Sequence, residues 1–552
     1  MFRPESHQLA FDPERFLVRE GPGEESIPLD VLFVGGGPAG LAGAIRLAQL
    51  VREDAGTGGG GAHGELEIGV LEKAESLGEH CLSGAVVNPG PFRALFPDVP
   101  ESELPFRGEV KDERFYWLGE TGQWRIPTPP EMRNRGQRLA SVCEVVRWLG
   151  ERAEGLGINV FTGFPADALL VDGDRVVGVR TAAGGLDRDG GPGSAYVPPG
   201  DVTAQVTVLA DGTRSSLAQA WQRWQGVDSP NPQIYALGVK ELWEVKRPLS
   251  SVIHTMGWPL PNDAFGGSWI YPMGPDLISL GLVVGLDYRD HNLDVHELTQ
   301  RLKSHPLVRP MLEGGEMVEW GAKTIPEGGS HSLPRRLHGD GLLMAGDAAG
   351  LVNVAALKGI HYAVQSGIFA AETIFGAIRA GDTSAASLSA YDERIRGSFI
   401  HRDLHRTRNM RLAFKSGFYG GGLKASLMSV TGGAFPGGRI ATVSDAAEPR
   451  RVGAARSFRP DGKRTFSKVD AVFRSGNATR DDIPSHLHAA AGDLPLEVVE
   501  FYHHLCPAGV YEKGSDGLVV NAPNCIDCKA TDVLGPRWTP REGGSGPRYK
   551  RM

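Results

Sequence analysis

Short apolar runs that stop at glycine, each followed by a stretch of helical periodicity, recur along this chain and predict an α/β architecture. Residues 30–34 form a compact apolar run that reads as a buried parallel strand, and Ala, Leu and Ile then recur at helical spacing over 41–51. Residues 67–72 read as the second strand, 205–209 as another, and 341–345 as a fourth. A long helix is predicted over about 358–380. Residues 235–290 hold several β-like runs broken by Gly and Pro, including 277–284, and predict an antiparallel sheet. Two glycine-rich stretches, 56–64 and about 183–200, read as a flexible insertion and a loop. Residues 416–438 are rich in Gly, Phe, Leu and Met without a clean period, 440–490 are polar and weakly structured, and no internal repeat is present.

Composition narrows the class. A chain of 552 residues suggests two or three domains, with hydrophobic content (41%) and charge (22%) ordinary for a folded protein. The net charge of −8 argues against nucleic-acid binding that relies on overall basic charge. The five cysteines form no disulfide framework, and a reducing compartment is expected. Residues 1–7 show no apolar signal region, and no apolar run reaches the ~18 residues of a spanning helix. Any membrane contact is therefore expected to be peripheral.

The first chemical signal is Gly35-x-Gly37-x-x-Gly40, between a predicted strand and a predicted helix. The first glycine suits a tight turn, the second lets backbone approach a pyrophosphate, and the third lets helix pack on strand. Pro38 and Ala39 complete the turn, and the helix N-terminus faces the negative charge. Glu72 ends the next strand and is placed to bond a ribose hydroxyl, the insertion at 56–64 accounting for its distance along the chain. Two further strand ends carry acids: Asp211, followed by Gly212, and Gly346-Asp347, where Asp347 is placed to accept from a ribityl hydroxyl. In order and spacing these three motifs resemble the FAD domain of glutathione-reductase and hydroxylase-like flavoproteins.

The second signal is Cys506-Pro507-Ala508-Gly509, followed at 525 by Cys525-x-x-Cys528. Two thiols at this spacing can chelate one metal centre, and a third can close from a distant loop. Iron–sulfur ligation, zinc ligation with His503 or His504 as fourth ligand, and a set of unrelated buried thiols all fit the spacing. A further thiol is expected three residues after Cys528, but position 531 is Thr.

The chain as a whole, from about residue 28 onward, resembles the electron-transfer flavoprotein–ubiquinone oxidoreductase family. The resemblance is carried by 35–41, 82–85, 240–243, 254–260 and 281–288, and in the tail by 506–512 and 542–547. It implies an FAD-binding Rossmann-like ββα domain over 28–230 and 335–440, after an N-terminal extension (1–27). Inserted is an antiparallel-sheet quinone domain (231–334), and a polar connecting region (441–490) leads to a ferredoxin-like segment (491–552) carrying a [4Fe-4S] cluster. It further implies a quinone site at Gly266 and Gly267, monotopic attachment to a membrane surface with 416–438 on the membrane side, and reduced electron-transfer flavoprotein and ubiquinone as partners. The expected location is the cytoplasmic face of a bacterial inner membrane, or the matrix face of the mitochondrial one. Cys506, Cys525 and Cys528 match the family's cluster ligands; Thr531 departs from them. Thr531 or Asp532 as an oxygen ligand, solvent, a [3Fe-4S] cluster, or a purely structural tail are the outcomes left open. The competing readings are a geranylgeranyl-reductase-type flavin reductase, which shares the flavin motifs but not the Cys506 tail, and an altered homologue with a zinc-stabilised tail.

Overall fold

The computed structural model describes residues 1–56, 66–84, 86–435, 437–453, 458–490, 492–515 and 517–552, with the side chain of Phe418 excepted. The expected glycine-rich insertion lies, apart from Gly56, outside the described residues. In chain order the principal elements are β1 (Ile27–Val34), α1 (Pro38–Gly56), β2 (Ile68–Glu72), β3 (Glu113–Leu118), β4 (Gln123–Ile126), α2 (Val142–Glu154), β5 (Asn159–Thr162), β6 (Ala166–Asp172), β7 (Arg175–Thr181) and β8 (Asp201–Leu209). There follow β9 (Tyr235–Glu244), β10 (Val252–Gly257), β11 (Gly266–Pro272), β12 (Leu277–Gly285), β13 (Glu316–Pro326), β14 (Leu342–Met344), α3 (Ile360–Arg379), α4 (Phe418–Val430), α5 (Leu496–Leu505) and α6 (Ala530–Leu534).

The first sheet is built on parallel pairing. β8, β1, β2 and β5 lie side by side, and β14 joins β8 in parallel at residues 207–209. The apolar run of β1 is buried because α1 and α3 cover the sheet. Small residues let those two helices close up: a Cβ on Gly367 of α3 would lie 2.2 Å from the Ala39 carbonyl oxygen of α1. α2 starts where Ser141 accepts a hydrogen bond from the Glu144 N–H, a side-chain N-cap.

The second sheet runs β13-β9-β12-β11-β10-β3-β4. Most pairs are antiparallel, as expected, but β10 pairs with β3 in parallel, and β3 and β4 come from residues 113–126, far upstream of the predicted insertion. The sequence hides this, because the Phe115–Leu118 run pairs locally only with β4, and its other edge finds β10 only in the folded molecule. The stretch 183–200 likewise holds a short hairpin, Gly184–Leu186 against Pro192–Val197, rather than plain loop. Residues 416–438, aperiodic in sequence, contain the helix α4. The C-terminal segment shares an apolar core with the second sheet, and Cys506, Cys525 and Cys528 are part of it. Among the described residues no helix is long and apolar enough to cross a membrane.

Candidate functional site

The carboxyl ends of β1, β8 and β14 meet at one point. The Ala210 N–H donates to the Val34 carbonyl at 2.8 Å, and the Ala345 N–H to that of Leu209 at 2.9 Å. Gly35, Asp211 and Gly346 leave these strands side by side, which opens a crevice at the sheet's carboxyl edge. The crevice continues into one cavity of about 1020 Å³ bounded by both sheets.

The three glycines of the first turn take separate roles. Gly35 has φ +113°, and a Cβ there would lie 2.4 Å from the Ala210 carbonyl oxygen; on Gly40 it would lie 2.1 Å from that of Gly35. A Cβ on Gly37 meets nothing within 4 Å, and Gly37, Pro38 and Ala39 line the cavity. This is the cradle a pyrophosphate needs at a helix N-terminus. Glu72 braces the turn, its carboxylate accepting from the Gly36 N–H (3.0 Å) and the Ala74 N–H (2.8 Å).

Asp211 and Asp347 both face the cavity. Asp211 Oδ1 is buried without a hydrogen-bond partner, and burial raises its carboxyl above the usual range. Burial also lifts Asp347 to about 6, with Lys323 pulling the other way. The Ser366 hydroxyl of α3 accepts from the Gly346 N–H at 3.0 Å. An orphaned acceptor, an open glycine cradle and a cavity of this size fit a flavin dinucleotide.

Farther along the same cavity stand Phe115, His254, Met256, Gly266, Gly267, Trp269 and Tyr271. Across the β10–β11 pair the Thr255 and Ser268 hydroxyls bond at 2.5 Å, and His254 Nε2 meets the Tyr271 hydroxyl at 2.6 Å. Burial, aided by Lys358, lowers His254 to about 3, so its ring is neutral. The glycine pair proves to be demanded by the sheet itself. A Cβ on Gly266 would lie 2.1 Å from the Val283 carbonyl oxygen, and one on Gly267 2.6 Å from that of Thr255.

The far end of the cavity is closed by α4. Gly422, Ala425, Ser426, Ser429 and Val430 line it, while Tyr419, Leu423 and Leu427 point outward. Spacings of three and four residues put these two sets on different faces of one helix.

The cysteine loop is hung on the cavity wall. The Thr324 N–H of β13 donates to the Cys528 carbonyl at 3.0 Å, Lys323 Nζ to that of Asp527 at 3.1 Å, and Lys529 Nζ to that of Thr213 at 3.2 Å. Lys323, Thr324 and Thr213 all line the cavity, and the two threonine hydroxyls lie 3.3 Å apart. Asp527 (φ +54°) and Lys529 (φ +62°) adopt left-handed backbone that wraps the loop tightly. Burial works to raise the Asp527 carboxyl, but Arg541, Lys73 and His486 hold it well below the usual range. Its oxygens are taken by Lys73, by Arg541 at 3.1 Å and by Trp538 Nε1 at 3.1 Å.

Cys506, at the end of α5, joins Cys525 and Cys528 in the interior, and burial pushes all three thiols up, Cys525 to about 12. Without metal they are protonated; binding a metal would deprotonate them. Tyr511 lies within the field of all three, and its hydroxyl is 3.3 Å from Thr531 Oγ1. Asp532 is turned elsewhere: Arg214 Nε donates to its Oδ2 at 2.6 Å and the Trp538 N–H to its Oδ1 at 3.1 Å. His503 Nδ1 lies 3.0 Å from the Tyr511 carbonyl, and His504 Nδ1 3.8 Å from Asp294. Three gathered thiols with two hydroxyls beside them fit an iron–sulfur cluster.

Lys73, Lys323, Thr324 and Ser366 lie outside the motifs and come from three separate parts of the chain, and Tyr511 lies in the 506–512 segment without being marked as part of the site. The Cys506–Tyr511 spacing offered the nearest hint for Tyr511.

Comparison with known proteins bears on both halves of the site. Residues 235–325 match a family model described as ETF-QO, ubiquinone-binding, and residues 462–550 one described as electron transfer flavoprotein-ubiquinone oxidoreductase, 4Fe-4S. The chain is 36% identical to the mitochondrial electron transfer flavoprotein-ubiquinone oxidoreductase of Oryza sativa subsp. japonica, covering 96% of this chain and 94% of the relative. It is 35% identical to the Pseudomonas aeruginosa protein of the same name (96% and 100%) and 35% identical to the mitochondrial one of Homo sapiens (95% and 89%). Among solved structures, a geranylgeranyl bacteriochlorophyll reductase-like protein from Thermoplasma acidophilum aligns with a TM-score of 0.57 at 20% identity, over 74% of this chain and 97% of that one. A flavin-dependent brominase aligns with a TM-score of 0.51 at 17% identity, over 74% and 94%. At such identities these two likenesses speak for the fold alone.

Proposed function

The chain belongs to the electron transfer flavoprotein–ubiquinone oxidoreductase family, and from that premise we propose how its residues perform the family's reaction. The protein is a flavoprotein oxidoreductase that takes electrons from reduced electron transfer flavoprotein and reduces ubiquinone, with FAD and a [4Fe-4S] cluster as cofactors. The observation that carries the reading is the single cavity. It runs from the Gly37 cradle, past Asp347 and the Gly266–Gly267 strand, to α4, with the Cys525–Cys528 loop bonded to its wall.

FAD bound at this crevice would supply two-electron chemistry, and a cluster held by the cysteine loop would supply one-electron chemistry. Gly35, Gly37, Pro38, Ala39 and Gly40 hold the pyrophosphate, Glu72 the adenosine ribose, and Asp211, Gly346 and Asp347 the flavin end. Cys506, Cys525 and Cys528 hold the cluster. Lys323 and Lys529 tie the cysteine loop to the cavity wall, through the Asp527 and Thr213 carbonyls. Gly266 and Gly267 keep β11 close against its neighbours, so that the backbone forms the floor of the quinone slot. The Tyr271 hydroxyl, bonded to the neutral His254 ring, is the proton-bearing group on the wall of that slot, suited to handing a proton to a reduced quinone oxygen.

The protein rests peripherally on a membrane through α4, whose outward apolar face lies beside the cavity end that an isoprenoid-tailed quinone must enter. The side is the cytoplasmic face of a bacterial inner membrane, or the matrix face in a mitochondrion. The domain division 28–230 with 335–440, 231–334 and 491–552 fits this assignment, with the quinone unit borrowing β3 and β4 from the first segment.

Purified protein mixed with reduced electron transfer flavoprotein and a short-chain ubiquinone is expected to form ubiquinol with FAD bound. Reduction of an isoprenoid double bond without quinone reduction would replace this reading by a geranylgeranyl-reductase activity.

A further inference from the structure

The C-x-x-C-x-x step from Cys525 through Cys528 ends at position 531, where a thiol is absent and a threonine is present. Thr531 occupies the first turn of α6 and is buried (7% exposed). Its hydroxyl faces the Tyr511 hydroxyl at 3.3 Å, beside the three cysteines. The two acids of the loop are committed elsewhere. Asp532 spends both carboxylate oxygens on Arg214 and the Trp538 N–H. Asp527 is committed to Lys73, Arg541 and Trp538. His486 is buried with Nε2 unpartnered, within 4.8 Å of ligand atoms of Cys525 and Asp527, but it sits 3.8 Å from Asp527 Oδ1 in that charged group.

Resting on the functional reading above, we propose that the Thr531 hydroxyl, steadied by Tyr511, takes the fourth corner of the cluster. Three irons are then held by Cys506, Cys525 and Cys528, and one by a single protein oxygen. A hydroxyl is a harder and weaker ligand for a sulfide-bridged iron than a thiolate, so this iron is the one that exchanges. One-electron oxidation by ferricyanide releases it: [4Fe-4S]2+ gives [3Fe-4S]+, one Fe2+ and one electron, which ferricyanide accepts. Added Fe2+ with dithionite reverses the change. This makes the cluster a metal-exchange site as well as an electron carrier.

The test follows iron and sulfide content and the EPR spectrum of the anaerobically purified full chain through stoichiometric ferricyanide oxidation. Wild type is expected to fall from about four irons per chain to about three, with sulfide retained and a [3Fe-4S]+ signal appearing, and to recover with Fe2+. T531C is expected to keep all its iron and give no such signal. T531S is expected to behave as wild type, and T531V to lack the fourth iron before any oxidant is added. Wild type that holds all four irons as T531C does would overturn the proposal, as would loss of the iron in H486A but not in T531V. A chain with FAD but neither iron nor sulfide would overturn it too. Iron exchange as expected, together with failure to reduce ubiquinone, would instead remove the functional reading and leave the ligand assignment standing.

Discussion

Replacing Gly37 by Ala separates flavin binding from folding more cleanly than any other change in the crevice. The added methyl meets no protein atom within 4 Å, and Gly37 is absent from the positive-φ glycines, so alanine suits its backbone. The flavin-free variant is expected to match wild type in stability or to gain about 0.4–1 kcal/mol from a stiffer unfolded chain. The methyl instead fills the space through which the pyrophosphate reaches the N–H groups at the start of α1. Losing one or two such charge-assisted bonds costs about 3 kcal/mol, roughly a hundredfold in Kd. Gly40→Ala gives the opposite result. Its Cβ falls 2.1 Å from the Gly35 carbonyl oxygen, so α1 must move off the strand, and overpacking of about 1–3 kcal/mol appears in the flavin-free protein as well. The assay is the flavin-to-protein absorbance ratio across an FAD titration, with thermal melts of the flavin-free forms. Wild-type FAD affinity in Gly37→Ala, or a flavin-free melt as damaged as that of Gly40→Ala, would refute the assignment of the cradle.

Other outcomes follow from the same geometry. Asp347 has a folded pKa of about 6 against an ordinary 3.8, so its stabilising contribution is full below about pH 4 and is lost as pH rises through 6. The flavin-free Asp347→Asn protein should therefore match wild type in urea melts near pH 4 and exceed it near pH 7, by at most about 3 kcal/mol; equal stability at both pH values would sink this. Tyr271→Phe removes the hydroxyl paired with His254 and is expected to lower quinone-reduction kcat by about tenfold or more with FAD content unchanged; an unaltered kcat would exclude the pair as proton source. Leu423→Asp with Leu427→Asp should cut co-sedimentation with lipid vesicles by more than about tenfold, each apolar side chain being worth about 1.5–3 kcal/mol when buried; retained binding would place the membrane contact elsewhere.

Gly267→Val would not test the quinone slot. Its Cβ strikes the Thr255 carbonyl and distorts β10 and β11 first. Sheet packing by itself accounts for both glycines. In residues 416–438 composition showed apolar content, but only the packed helix shows which residues line the cavity and which face outward.

What the sequence determined by itself are the features written within a few residues. The glycine turn at 35–40, the strand ends at Asp211 and Asp347, and the thiol spacing with its threonine at 531 are local, because turn geometry and chelation depend on near neighbours along the chain. The parallel strand ends and the helix over 360–379 belong to the same class. Tertiary structure alone decided what those features face. Lys73 reaches Asp527 across 454 positions and Lys529 reaches Thr213 across 316, and β3 finds β10 with more than a hundred residues between them. Burial then kept the thiols protonated, while Arg541 and, from a distant segment, Lys73 hold Asp527 ionised against it. Sequence separation carries no such information, since a contact between distant segments exists only after the cores of both sheets have formed and excluded water from the space between them.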